Sequence, residues 1–164
     1  MRRMRETCNP SVRIRPAEKE DFHKIKELNK KTIWQEISDD AKSRISNFDE
    51  LYEKLWPAFS QKQGNAFYVA EDSNGEVVGE LWVGINKEDV SGLTEIAWIY
   101  DITVKMGCQG RGIGTLLMGK AVEHANAKGF KKMGLMVNAK NTKALKLYEK
   151  LGFQTRNLIM FKNV

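Results

Sequence analysis

Between residues 99 and 120 a β-branched run, IYDITV, is followed within a few residues by CQGRGIG and then by TLLMGK. Apolar alternation that gives way to glycines at 110, 112 and 114 and then to leucines predicts a strand, a tight loop and a helix in close succession. A glycine-rich turn at a helix start presents backbone N–H groups and the positive end of the helix dipole, a combination suited to an anion. Two common phosphate loops fail on spacing. Gly114 to Lys120 fits G-x-x-x-x-G-K, but the intervening TLLM is helix-forming, and Ala121 stands where a Ser or Thr should meet magnesium. Gly110, Gly112 and Gly114 miss G-x-G-x-x-G, and no early strand–helix–strand unit surrounds them. What remains is Q-x-x-G-x-G, from Gln109 to Gly114.

The 164 residues suit one domain, and 41% hydrophobic with 29% charged residues is ordinary for a globular chain. No stretch approaches the ~20 apolar residues of a membrane span. Residues 1–10, MRRMRETCNP, are basic and lack an apolar signal core, so they read as a poorly ordered arm ahead of a domain at 11–164. A cytoplasmic location is expected, with Cys8 and Cys108 as free thiols. No Cys or His spacing suggests a metal, and His23 and His124 read as surface or packing residues. The net charge of +6 invites an anionic partner, but bases alternate with acids in EKEDFHKIKELNKK without interleaved aromatics, which argues against nucleic acid.

The coarse element order is β-α-α-β-β-β-α-β-α-β. Val12–Arg15 alternates as a strand, and Ala17 to Lys30 carries Phe22, Ile25 and Leu28 at helical spacing. Ser46 with Asp49 predicts a helix start before FDELYEKLW, and Pro57 predicts its stop. Ala66–Ala70 and Glu76–Ile85 flank Asn74-Gly75, a hairpin signal. Glu95 to Val104 reads as a longer strand, and Met133 to Val137 as a short buried one. Ile113, Leu117, Ala121 and Ala125 mark a helix ending by Gly129, and Asn141 to Leu151 another ending at Gly152. Phe153 to Lys162 reads as a strand or closing hairpin. The sum is one mixed α/β sheet.

Asn141, Ala144, Leu145 and Tyr148 share one helix face, since seven residues bring Asn141 and Tyr148 within about 20° and ~10 Å along the axis. A long ligand can touch both across the small Ala144. With IYDITV, QGRGIG and N-x-x-A-x-x-x-Y-x-x-x-G-F (141 to 153) in order, the chain resembles the GNAT superfamily of N-acetyltransferases. The likeness is close over the C-terminal half and extends only to predicted layout over residues 1–65.

That resemblance implies a mostly antiparallel sheet with a central splay and flanking helices, and acetyl-CoA as cosubstrate without a metal. It assigns the pyrophosphate to Gln109, Gly110, Arg111, Gly112, Ile113, Gly114 and Thr115, with Lys105 adding charge nearby. It assigns the pantetheine arm to the backbone of Ile102, Thr103 and Val104, with a backbone N–H polarising the thioester carbonyl. Asn141 would bond the cofactor arm and Tyr148 would protonate the departing sulfur. A base is needed for an ammonium substrate, and Asp101 ranks ahead of Glu95, both read as facing the same side of their strand.

The acceptor is expected to be an amine, favoured as a small molecule, in a site formed by residues about 30 to 60. Trp34, Phe48, Tyr52 and Trp56 stand there, in the core or as pocket walls. A protein or peptide N-terminus is the rival acceptor, weakened because Met136 replaces a glutamate that some relatives of that kind carry. The rival outside catalysis is a silent acyl-CoA or nucleic-acid binding module. A homodimer is compatible with all of these.

Overall fold

The computed structural model describes residues 11–87 and 93–162. Five strands form one sheet in the order β1-β2-β3-β4-β5, where β1 is Val12–Pro16, β2 Ala66–Asp72, β3 Val77–Lys87, β4 Glu95–Val104 and β5 Met133–Leu135. The first four are antiparallel and β5 joins β4 in parallel. The helices are α1 (Phe22–Glu36), α2 (Asp39–Arg44), α3 (Phe48–Ser60), α4 (Ile113–Ala127) and α5 (Thr142–Lys150).

β3 is buried from Val77 to Gly84, so both sheet faces are covered. Leu81, Val83, Ile99, Ile113, Leu117, Met118 and Ala121 make the core beneath α4, with Tyr148 of α5 packed against it. Ile25, Leu28, Phe67, Val69 and Trp82 make the core beneath α1, with Trp56 of α3 packed against it. At the β2–β3 turn the Asp72 carboxylate accepts the N–H groups of Asn74 and Glu76 at 2.9 and 3.0 Å, and Gly75 takes φ 80°, as the hairpin signal predicts.

Several expectations need correction. A 3-10 turn, Lys19–Asp21, precedes α1, which begins at Phe22 and runs past Lys30 to Glu36. Asn47, not Ser46, accepts the Glu50 N–H at the start of α3, and α3 continues through Pro57 to Ser60. A proline forgoes one backbone bond, and in the last turn that loss does not end the helix. Phe153 to Lys162 forms no strand, and Leu158 to Phe161 are exposed, because no neighbouring strand reaches this apolar run. Cys108, expected as a free thiol, is buried and disulfide-bonded; sequence spacing does not report what the fold brings beside a cysteine. Cys8 and the expected N-terminal arm lie outside the described residues.

Candidate active site

The ladder between β4 and β5 is three pairs long, Ala97–Met133, Trp98–Gly134 and Ile99–Leu135. Beyond Ile99, β4 keeps pairing with β3 as far as Val104. The β5-facing edge of Tyr100–Val104 is therefore without a strand partner, and the sheet splays there. Ile102, Thr103 and Val104 lie along that edge.

The glycine loop stands where β4 ends. Gln109 donates to the Val104 carbonyl at 3.1 Å and ties the loop to the strand, so its amide nitrogen faces the protein. Gly110 and Gly112 have φ of 77° and 81°, a region that side chains avoid, and a Cβ at either would meet nothing within 4 Å. Backbone shape requires glycine at both positions, and the space in front of them is open. Gly112 is the N-cap of α4, whose first-turn N–H groups at Ile113, Gly114 and Thr115 point out of the helix end. The Ile113 side chain is core, and Gly114 faces Leu147 of α5 at a distance where a Cβ would just touch. Arg111 and Thr115 are exposed, whereas Lys105 is held by Glu76 at 2.7 Å.

Asn141 caps α5, its side-chain oxygen accepting the Ala144 N–H at 3.2 Å. Tyr148, two turns on, is half-buried with its ring 5.9 Å from Phe153. Burial first, and the negative charge of Asp101 second, push its hydroxyl up to about 12. It therefore keeps its proton at neutral pH and lies within the field of Asp101.

β4 carries a bulge that sequence alternation did not register. Trp82 pairs with Asp101 and Val83 with Ile99, leaving Tyr100 as the extra residue. An extra residue reverses which face each later side chain meets. Ile99 joins the core under α4, whereas Asp101 turns to α1. Glu95, expected on the face of Asp101, is separated from it by this reversal and sits exposed at the strand start, paired with Lys87 at 2.8 Å.

Asp101 accepts from Asn29 Nδ2 at 2.8 Å and from the Thr103 hydroxyl at 3.2 Å, and Thr103 shares a 2.6 Å hydrogen bond with Thr32. Tyr52 of α3 donates to Asn29 Oδ1 at 2.6 Å. Burial, then the charge of Asp101, hold the Tyr52 hydroxyl well above its ordinary range. Beside Asp101 lies Glu80 of β3, wholly buried. Burial first, the charge of Asp101 second and a hydrogen bond with its carboxyl third raise the Glu80 carboxyl well above the carboxylate range. Asn29, Thr32 and Glu80 escaped the sequence reading. For Glu80 the available signal was a single charge inside VVGELWVGI, a run apolar enough to be buried on both faces.

The aromatics of residues 30 to 60 divide. Trp34 and Phe48 line a groove of about 480 Å³ between α1 and α3, with Glu27, Lys30, Lys31, Gln35 and Asp49. Tyr52 is buried toward the sheet, and Trp56 packs on Phe67 and Trp82. No group of three or more metal-ligating side chains occurs among the described residues. None of their helices is long and apolar enough to cross a membrane.

A splayed edge stands beside a glycine-capped helix, and the model of the acetyltransferase (GNAT) family matches residues 30–153. The chain belongs to that family. It is 29% identical over 137 residues to an uncharacterized N-acetyltransferase of Methanocaldococcus jannaschii, covering 73% of this chain and 60% of that protein. The chain thus spans about three fifths of that relative's length. A Pyrococcus furiosus structure assigned as an acetyl transferase superposes with a TM-score of 0.78 and 31% identity, over 94% of this chain and 100% of that one. The aminoglycoside N-acetyltransferase AAC(6')-Iy, solved in complex with CoA, superposes with a TM-score of 0.67 over 94% of this chain and 95% of that one. At 21% identity it shares the fold alone.

Proposed function

We propose that this acetyltransferase moves the acetyl group of acetyl-CoA directly to a primary amine, a small-molecule amine in preference to a protein N-terminus. The observation that carries the reading is the gap beyond Ile99, bounded by the glycine cradle at one end and by Tyr148 and Asp101 at the other. Backbone N–H groups from Gly110 to Thr115 hold the pyrophosphate, with the helix dipole and Arg111 adding positive potential. The unpaired edge at Ile102–Val104 hydrogen-bonds the pantetheine amides, and one N–H there polarises the thioester carbonyl, worth ~3 kcal/mol in comparable sites.

An amine arriving as ammonium gives one proton to the Asp101 carboxylate and attacks the thioester carbon with the freed lone pair. The carbon–sulfur bond then breaks, Tyr148 gives its proton to the sulfur, and the second nitrogen proton restores Tyr148. A hydroxyl held at about 12 stays protonated at neutral pH, so its proton is present when the sulfur departs.

Calorimetry with acetyl-CoA, with and without chelator, tests the cradle: equal affinity in both supports it, and an affinity that collapses on chelation removes it. Thiol release from acetyl-CoA across polyamines, aminoglycosides, amino acids and peptide N-termini then identifies the acceptor class. With an active amine, Tyr148→Phe is expected to lower turnover by ~10²-fold with acetyl-CoA affinity nearly unchanged. Full activity in that variant assigns the proton to another donor.

A further inference from the structure

Of the buried acids among the described residues, Glu80 of β3 alone is at 0% exposure. No N–H or O–H group of the protein donates to either of its oxygens, and the indole N–H of Trp82, two residues along the strand, is itself without an acceptor. What Glu80 does have is a second carboxyl. It stands opposite Thr103 in the β3–β4 ladder, and Trp82 stands opposite Asp101. Glu80 and Asp101 are thus diagonal neighbours on one sheet face, a Cα spacing of about 7–8 Å that long side chains bridge. Their carboxyls meet in a hydrogen bond.

An ionised carboxylate is an acceptor only, so two carboxyls that bond each other hold at least one proton between them. Burial decides where it sits. Asp101 is half-buried, and its Oδ2 takes two donors, Asn29 Nδ2 at 2.8 Å and the Thr103 hydroxyl at 3.2 Å. Glu80 is closed to solvent and receives no donor, so it carries the proton and Asp101 the charge. The elements packed around the pair turn no unpaired charge toward it. From α1, Asn29 and Thr32 meet Asp101 and Thr103, while Lys26 and Lys30 are held by Glu53 and Asp49. From α3 comes the Tyr52 hydroxyl and from α5 that of Tyr148, both raised and both protonated at neutral pH. On β2, Val69 stands opposite Glu80.

Resting on the acetyl-transfer reading above, we infer that Glu80 is the positioning residue of the base: it donates its proton in a hydrogen bond to Asp101, and the two carboxyls work as a pair with one resident proton. That bond and the two at Oδ2 hold Asp101 ionised in a half-buried place, with lone pairs left for an incoming ammonium. When the amine reacts, its N–H bond breaks, the electron pair stays on nitrogen and the proton joins Asp101. Glu80 keeps its own. The pair passes from one negative charge to none, and returns by giving a proton to solvent. An apolar residue at position 80 would set Asp101 against hydrocarbon, which favours its neutral form and removes the base.

The test follows the full chain by ¹³C NMR of its side-chain carboxyls, without substrate, from about pH 5 to about 10. The Glu80 resonance is identified by its loss in Glu80→Gln. It is expected at the position of a protonated carboxyl at neutral pH, and in Asp101→Asn its midpoint falls by ~1 unit or more because the neighbouring charge is gone. A Glu80 that is ionised at neutral pH, or one whose titration is unmoved by Asp101→Asn, overturns the pair. The second readout is the acid limb of turnover, with the amine that thiol release identifies. Glu80→Gln keeps an N–H donor toward Asp101 and leaves the limb in place. Glu80→Leu has no donor and moves the limb to higher pH by ~1 unit, the scale of one hydrogen bond to a charged group. A limb that stays put in Glu80→Leu overturns the positioning role, since a residue that only fills space changes stability alone. Should no amine release thiol from acetyl-CoA, the acetyl-transfer reading fails while the carboxyl resonances still decide the pair. An active amine with an unmoved limb defeats only this inference.

Discussion

Two polar clusters lie on the same sheet, one at its partly exposed edge and one deep in its centre, and they are built to opposite ends. At the β1 edge, Arg15 reaches Asp21 at 2.6 Å and Glu71 at 2.6 Å, Arg13 adds a second contact to Glu71, and the Glu18 N–H completes Asp21. Arg15 holds both carboxyls below the ordinary carboxylate range. At the β3–β4 centre, Asp101 is served by Asn29 and Thr103, but Glu80 has only the Asp101 carboxyl beside it and the Trp82 indole N–H has no partner. A saturated cluster fixes the fold; an unsaturated one lowers stability. The contrast separates residues that hold this protein together from residues that act.

The largest expected effect falls on the saturated side. Arg15→Ala leaves Asp21 with only the Glu18 N–H and Glu71 with only Arg13, and is expected to cost about 3 kcal/mol in urea unfolding, the lower end for a broken buried pair, since the Arg15 side chain is 19% exposed. Acetyl-CoA affinity and turnover per folded molecule stay as in wild type. Reduced turnover at unchanged stability would erase the distinction between the clusters.

Asp101→Asn is the reciprocal experiment, with turnover lower by ~10²-fold near neutral pH, or about 2.7 kcal/mol in barrier. The loss shrinks as pH rises, because more amine arrives deprotonated. Glu95→Gln, distant and exposed, leaves the profile unchanged. If Asp101→Asn instead loses stability with a profile parallel to wild type, Asp101 belongs with the structural cluster.

The smallest effect is a pair of opposed pH slopes. Asp21 and Glu71 are lowered in the fold, so their stabilisation is complete above the ordinary carboxylate range and fades as pH falls below it. Glu80 is raised, so its contribution is complete below its ordinary 4.5 and fades as pH climbs above that value. Glu80→Gln is therefore expected to raise stability by about 1 kcal/mol at pH 8 and to do little at pH 4, as followed by thermal unfolding. An unchanged alkaline slope would mean that Glu80 finds a partner in solution.

Much of the site was legible. The bounds of β4, the loop from Gln109 to Gly114, the helix it opens and the Asn141–Tyr148 face all follow from local rules, since a capping glycine or a 3.6-residue period acts within a few positions. Even so, Gln109 proved to be a strut to Val104, and Gly114 a point of contact with α5. Alternation placed Glu95 and Asp101 on one face because it assumes an unbroken period of two, and the bulge at Tyr100 broke it.

The sequence by itself determined most of the elements, the glycine-capped turn and, through three ordered motifs, the family. Only the tertiary structure decided which side of β4 meets which helix, that Asn29 reaches Asp101 across 72 positions, and that Glu80 is buried beside Asp101. The reason is physical. Backbone preferences and glycine conformations are set by adjacent residues, whereas the partners of a buried carboxyl are set by whatever the chain folds over it.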